Sequence, residues 1–169
     1  QALPLADMAG GALTTAMTVC AALFARERTG KGRWLDLSMT EGVLALMAPY
    51  LSAAAAGHQA EPGRDVLTGG WARYGVHRCR DGQLIALAAI EDQFWNRLSE
   101  LLGEPVPEDH AALAAIFARK TRDEWCELLA SACVTPVLEL KEVLNAPLHR
   151  DRKAWRGQGA DQRVSPAFF

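Results

Sequence analysis

Two long stretches without a charged side chain dominate the first third of the chain, Met8 to Ala25 and Gly42 to Ala60. Asp7 precedes the first, and Arg26 and Arg28 lie at its far end, where cations favour the negative pole of a helix. Gly30 and Gly32 follow as stop signals. The pattern predicts a helix from Asp7, as N-cap, to Arg28. Arg33 to Met39 alternates as a strand would, and Thr40 to about Ala56 predicts a second helix, apolar on nearly every face. Helix, strand, helix at this hydrophobicity predicts a large α/β layer that covers both helices. Two membrane spans are conceivable on length alone. The interspersed Gly, Thr, Pro, Ser and His residues favour buried helices and no membrane.

The segment 57–64, GHQAEPGR, breaks this pattern and predicts a domain boundary. Beyond it the character changes. Ala72 to Arg80 and Gln83 to Ala89 flank Asp81-Gly82, a hairpin signal. A helix is predicted from Asp92 to Leu102, closed by Gly103, and another over about His110 to Arg119. Thr121 and Glu124 form a capping box that opens a helix to about Ala132. Val134 to Leu138 predicts a short strand and Lys141 to Asn145 a further helical turn. The predicted organisation is 1–60 as part of a large α/β domain, 61–148 as a small α+β domain, and 149–169 as a linker returning towards the large domain.

Charge and cysteines narrow the chemistry. Lys and Arg number 18 against 20 Asp and Glu, a net charge of −2, with no basic stripe, so nucleic acid is not an expected partner. The four cysteines, Cys20, Cys79, Cys126 and Cys133, show no C-x-x-C spacing and read as reduced, buried thiols, and no metal site is expected. No basic region precedes the first apolar run, so no signal peptide is expected and the cytoplasm is the expected compartment. The chain begins without Met, in mid-phrase, and reads as a piece of a longer protein.

Asp7 stands at a predicted helix start, with Gly10 and Gly11 in the first turns. Glu91 stands where the apolar run LIALAAI passes into a helix. Both positions favour a negative charge. Such strand-to-helix junctions commonly hold ligands in α/β proteins. Gly10 and Gly11 leave the backbone open to close approach by a substrate. Taken alone, each carboxylate is better explained structurally, Asp7 as a helix cap and Glu91 as a partner of the helix dipole. Met39, Met47 and Tyr74 suit an apolar acyl pocket, with core packing as the default. Thr29-Gly30-Lys31-Gly32 is no phosphate loop, since Gly32 follows the lysine where Ser or Thr is needed.

Seven blocks then occur in order: LADMAGG (5–11), ALFARERTGKGRWLDLSMTEG (22–42), LTGGWARYGVHRCRDGQ (67–83), AAIEDQFWNRL (88–98), KTRDEWCELL (120–129), ACVTPVLELKEV (132–143) and VSPAF (164–168). Together they resemble the family III CoA-transferase (CaiB/BaiF) superfamily, in particular its α-methylacyl-CoA racemase branch. The resemblance implies a Rossmann-like large α/β domain joined to a small α+β domain, in chains that interlock as a homodimer. It implies an acyl-CoA thioester as substrate, with no cofactor beyond its CoA moiety. Asp7 and Glu91 match the family's carboxylates, and Tyr74 matches a tyrosine near the racemase pocket. The aspartate serves as acid/base in racemases and as nucleophile in transferases. The glutamate supports a catalytic histidine of an A-G-H-D block, which would lie upstream of residue 1. Most family CoA contacts would lie upstream as well. Three functions therefore stand: α-proton transfer on a 2-methylacyl-CoA, CoA transfer through an acyl-aspartyl intermediate, or a non-catalytic dimerisation module. Ala88 replaces a Gly of the racemases and Trp71-Ala72 replaces their Ala-Pro, departures expected to reshape the acyl pocket.

Overall fold

A computed structural model describes residues 3–59, 61–157 and 159–165. The chain divides into two compact units, Gln1–Ala60 and Glu61–Phe169.

The first unit is helical. A π-helical segment, Ala6–Leu13, runs directly into α1, Thr14–Thr29. The wider turn is visible at Thr14, whose backbone N–H donates to the Ala9 carbonyl, five residues back, as does its hydroxyl at 2.8 Å. Gly30 closes α1 in the left-handed conformation (φ 68°). The segment 31–38 forms no strand, contrary to the alternation over Arg33 to Met39. A strand exists only where a neighbour accepts its ladder, and none pairs with this segment among the described residues. Ser38 instead caps α2, Met39–Leu46, its hydroxyl accepting from Glu41 N at 3.4 Å. The second helix is interrupted at Met47, and α3, Ala48–Ala55, restarts with Pro49 in its first turn, where the missing N–H costs nothing.

The π-helical segment and α2 cross backbone to backbone. A Cβ on Gly42 would sit 2.1 Å from the Gly10 carbonyl oxygen, and one on Gly10 would meet Val43 Cγ2 at 2.7 Å. These two glycines are the buried residues of the unit's helices, among the described residues. The large apolar side chains of α1 and α2, including Met17, Phe24 and Leu44, are exposed. The expected cover on both faces is therefore not supplied within these residues. The helical run Ala6–Thr29 is long and apolar enough to cross a membrane by length and composition alone. Core helices of large soluble proteins pass the same test.

The second unit closes a core of its own. β1 (Tyr74–Arg78) and β2 (Leu84–Ala88) form the expected hairpin, and β3 (Val134–Pro136) adds antiparallel to β2, giving the order β1-β2-β3. Gly82 takes φ +80° in the turn, a conformation its lack of Cβ makes inexpensive. With α4 (Asp92–Leu102), α5 (His110–Phe117) and α6 (Arg122–Leu128), the sheet buries Ile85, Leu87, Leu98, Leu113, Phe117, Trp125 and Leu129. Trp125 meets Phe117 edge-on with centroids 5.6 Å apart, and its indole N–H donates to the Phe117 carbonyl at 2.8 Å. Thr121 and Glu124 form the expected capping box. α6 stops at Leu128, short of Ala132, because Ala130–Ala132 tightens into a 3₁₀ turn ending at Cys133 with φ 54°. Beyond β3 come α7 (Leu140–Val143), α8 (Pro147–Asp151) and a small pair, β4 (Trp155–Arg156) with β5 (Arg163–Val164). The segment after His149 thus carries regular structure where an irregular linker was expected. Arg122 grips α7 through both Glu142 oxygens at 2.8 and 3.0 Å, which holds the Glu142 carboxyl down to about 2.

Candidate functional site

Two carboxylates carry the candidate chemistry, one in each unit. Asp7 lies exposed in the first turn of the π-helical segment. It is not the N-cap expected from the sequence: Leu5 holds that position, already with helical dihedrals (φ −61°, ψ −37°), and no side chain caps the helix. The carboxylate is therefore not engaged in capping, and it remains where the helix's positive end favours negative charge. Gly10 requires a correction too. Its missing Cβ makes room for α2, not for a substrate, because Val43 and the Met39 carbonyl fill that space. Gly11 is half-buried, and a Cβ there would lie 3.5 Å from the Ala6 carbonyl oxygen and 3.7 Å from Met39 Cγ, ordinary contact distances.

Glu91 is the N-cap residue of α4 (φ −75°, ψ 141°). Its carbonyl accepts from Phe94 N at 3.0 Å and Trp95 N at 3.1 Å, which fixes the backbone. Its side chain is exposed, makes no cap bond, and has no hydrogen-bond or ion-pair partner among the described residues. The hairpin brings Tyr74 and Glu91 to the same end of the sheet. Tyr74 begins β1 opposite Ala88 on β2, and β2 leads through Ala89 and Ile90 directly into Glu91. The sequence-predicted Tyr74 and Glu91 thus share one end of the sheet. Met39 and Met47 belong to the first unit and are exposed there.

Around Glu91 lies a constellation that sequence reasoning missed. Arg73, with its side chain only 11% exposed, donates from Nη1 to both the Ile90 carbonyl (3.3 Å) and Asp92 Oδ1 (2.6 Å). Its Nη2 bonds Glu108 Oε1, while Trp71 Nε1 donates to Glu108 Oε2 at 3.1 Å. The guanidinium carbon stands 5.2 Å from the Trp71 ring centre and 5.1 Å from that of Trp95. The Glu108 and Asp92 hydrogen bonds push Arg73 further up, and the same Arg73 contact, with Trp71, holds Glu108 below the usual carboxylate range. The signal available in the sequence was Trp71, which departs from the racemase pattern two residues before Arg73.

Elsewhere in the second unit an open apolar groove of about 840 Å³ is lined by Pro136, Leu138, Ala146, Pro147 and Leu148, with Lys141 and His149 at its polar edge. It includes neither Glu91 nor Tyr74. Among the described residues no group of three or more His, Cys, Asp or Glu side chains is placed to hold a metal. Burial pushes the Cys79 thiol up to about 11.

The order of motifs and the mixed sheet-and-helix unit agree with one family. The model of CoA-transferase family III matches residues 1–164. The chain belongs to CoA-transferase family III. It is 38% identical to α-methylacyl-CoA racemase of Homo sapiens over 181 residues, covering 96% of the chain and 46% of that protein. It is 26% identical to acetyl-CoA:oxalate CoA-transferase of Acetobacter aceti, over 85% of the chain and 41% of that protein. A crystal structure of Rv3272 from M. tuberculosis matches with a TM-score of 0.74 at 24% identity, covering 98% of this chain and 48% of that one, which supports the α/β fold. The chain spans about half the length of the relatives it matches. The family match includes the apolar run Ala6–Thr29, so that run is part of the family's pattern.

Proposed function

We infer that the complete protein is an acyl-CoA racemase or epimerase that moves the α-proton of a 2-methylacyl-CoA thioester. The observation that carries this reading is the unengaged Glu91 carboxylate at the N-cap of α4, in a chain 38% identical to a racemase. In this reading Asp7 serves one face of the α-carbon as acid or base. The opposite face is served by a histidine supplied by sequence outside this chain and oriented by Glu91. Removal of the α-proton yields an enolate, whose charge must be met by backbone N–H donors as it develops. Reprotonation on the other face inverts the centre. Gly11 and Tyr74 would contact the acyl-CoA. The exposed apolar helix faces of the first unit support its packing against further polypeptide, and an interlocked homodimer in the cytoplasm is the assembly proposed.

CoA transfer is the second reading, favoured by the family's breadth and by the exposed Asp7 carboxylate. There Asp7 attacks the thioester carbonyl, CoA thiolate leaves, and an acyl-aspartyl anhydride forms. Incubation of the full-length protein with 2-methylacyl-CoA in D₂O separates the two. Racemisation predicts deuterium at the α-carbon and no adduct trapped by hydroxylamine. Recovered substrate with intact α-protium, together with a hydroxylamine-captured acyl-Asp7, would establish transfer. The 169-residue chain by itself is expected to show no turnover.

A further inference from the structure

Arg73 grips the chain on both sides of Glu91. One guanidinium nitrogen, Nη1, bonds the carbonyl of residue 90 and the side chain of residue 92, so it straddles the position between them. The second nitrogen is fixed by Glu108, itself held by the Trp71 indole. Trp71 and Trp95 close over the guanidinium from within 5.2 and 5.1 Å. Trp95 also donates its N–H to the Glu91 carbonyl, so the stacking partner and the gripped loop are one element. The result is a cap residue whose backbone is fixed from three directions while its carboxylate stays free.

Capping of α4 alone does not call for this arrangement. A helix start of this kind is ordinarily stabilised by its own N-cap side chain, and Glu91 makes no such bond. The bonds that would fix the Glu91 side chain to its own helix are replaced by bonds to its two neighbours. The guanidinium fork sets this geometry, with Nη1 on both neighbours while Nη2 is held by Glu108, whereas a lysine ammonium on its flexible stem carries donors with no fixed plane. The guanidinium also compensates Asp92 and Glu108, which would otherwise place two uncompensated carboxylates around the Glu91 loop.

We propose that Arg73, stacked between Trp71 and Trp95, is a positioning residue for Glu91, holding the β2–α4 junction so that the Glu91 carboxylate projects unpaired towards its catalytic partner. This rests on the reading of Glu91 given above. Arg73 touches no reacting atom; it acts through Glu91. Trp71, where the racemases read Ala-Pro, is part of the same device through its bond to Glu108.

A double-mutant cycle in the full-length protein tests this, with α-proton exchange in D₂O as the readout and long incubations to keep residual exchange measurable. Arg73→Met is expected to lower kcat about tenfold with KM within about twofold. In the Glu91→Gln background the same change is expected to cost less than about twofold, because the group it positions is already gone. Should Arg73→Met fail to fold, Glu108→Gln, which loosens the grip while leaving Arg73 in place, is expected to show the same pattern at about threefold. An equal loss in both backgrounds, or no loss of kcat in the first, would overturn the positioning role while leaving Glu91 standing. Wild-type exchange by Glu91→Gln alone would instead remove the reading of Glu91 and the proposal with it.

Discussion

The two units differ in how they hold their apolar residues. Every buried apolar side chain among the described residues lies in the second unit, from Ala72 to Val134. The first unit is the more apolar of the two in pattern, yet its buried helical positions are Gly10 and Gly42. One unit is held by interdigitated side chains, the other by a close crossing of two backbones. Hydrophobic patterning reports how much surface a segment needs covered, not whether the covering surface is within the same stretch of chain.

The sharpest way to break this contrast is to excise a core side chain from the second unit. Trp125→Ala removes a side chain that is 2% exposed, together with its bond to the Phe117 carbonyl, and is expected to cost about 3–5 kcal/mol. Urea unfolding followed by the fluorescence of the remaining tryptophans reads the loss. Gly42→Ala comes next. A methyl there meets the Gly10 carbonyl, a backbone atom that cannot swing aside, so a loss of about 1–3 kcal/mol is expected from adding one carbon. Hydrogen exchange localised to the first unit would register it, and a stability equal to wild type would mean that the helices do not cross there.

The smallest effect concerns acid. His77 is buried against Phe117, ring centroids 4.9 Å apart, and its Nε2 has no hydrogen-bond partner among the described residues. Burial, with His110 nearby, lowers its pKa below the ordinary value. The unfolded chain therefore binds this proton more readily than the folded one. Stability is full above the ordinary histidine pKa of about 6.5 and declines as pH falls below it, towards the lower folded value. His77→Phe is expected to flatten the urea midpoint between about pH 7 and 5. An unchanged slope would assign the acid sensitivity to other groups.

What the sequence made legible follows the same division. Signals carried by neighbouring residues held: the Asp81-Gly82 turn, the Thr121–Glu124 capping box, and α4 between Asp92 and Gly103. Other expectations failed, some for want of a distant partner. Alternation over 33–39 produced no strand, because pairing depends on a second strand. Asp7 did not cap, because the helix already begins at Leu5. Gly10 and Gly11 looked like an opening in the backbone, but Met39 and Val43 of α2, far along the chain, fill the Gly10 side of it. Glu91 and Tyr74 could be named from ordered motifs, and the hairpin register places them at one end of the sheet. The Arg73 grip could not be named, since Trp71, Arg73, Asp92 and Glu108 approach one another only once the hairpin and α4 have formed.

Alongside Glu91, the proposed proton transfer requires a carboxylate at position 7. In the full-length protein, Asp7→Ala is expected to slow deuterium incorporation at the α-carbon of 2-methylacyl-CoA by about 10²–10⁴-fold, with the circular dichroism spectrum unchanged. Incorporation at the wild-type rate by that variant would contradict it.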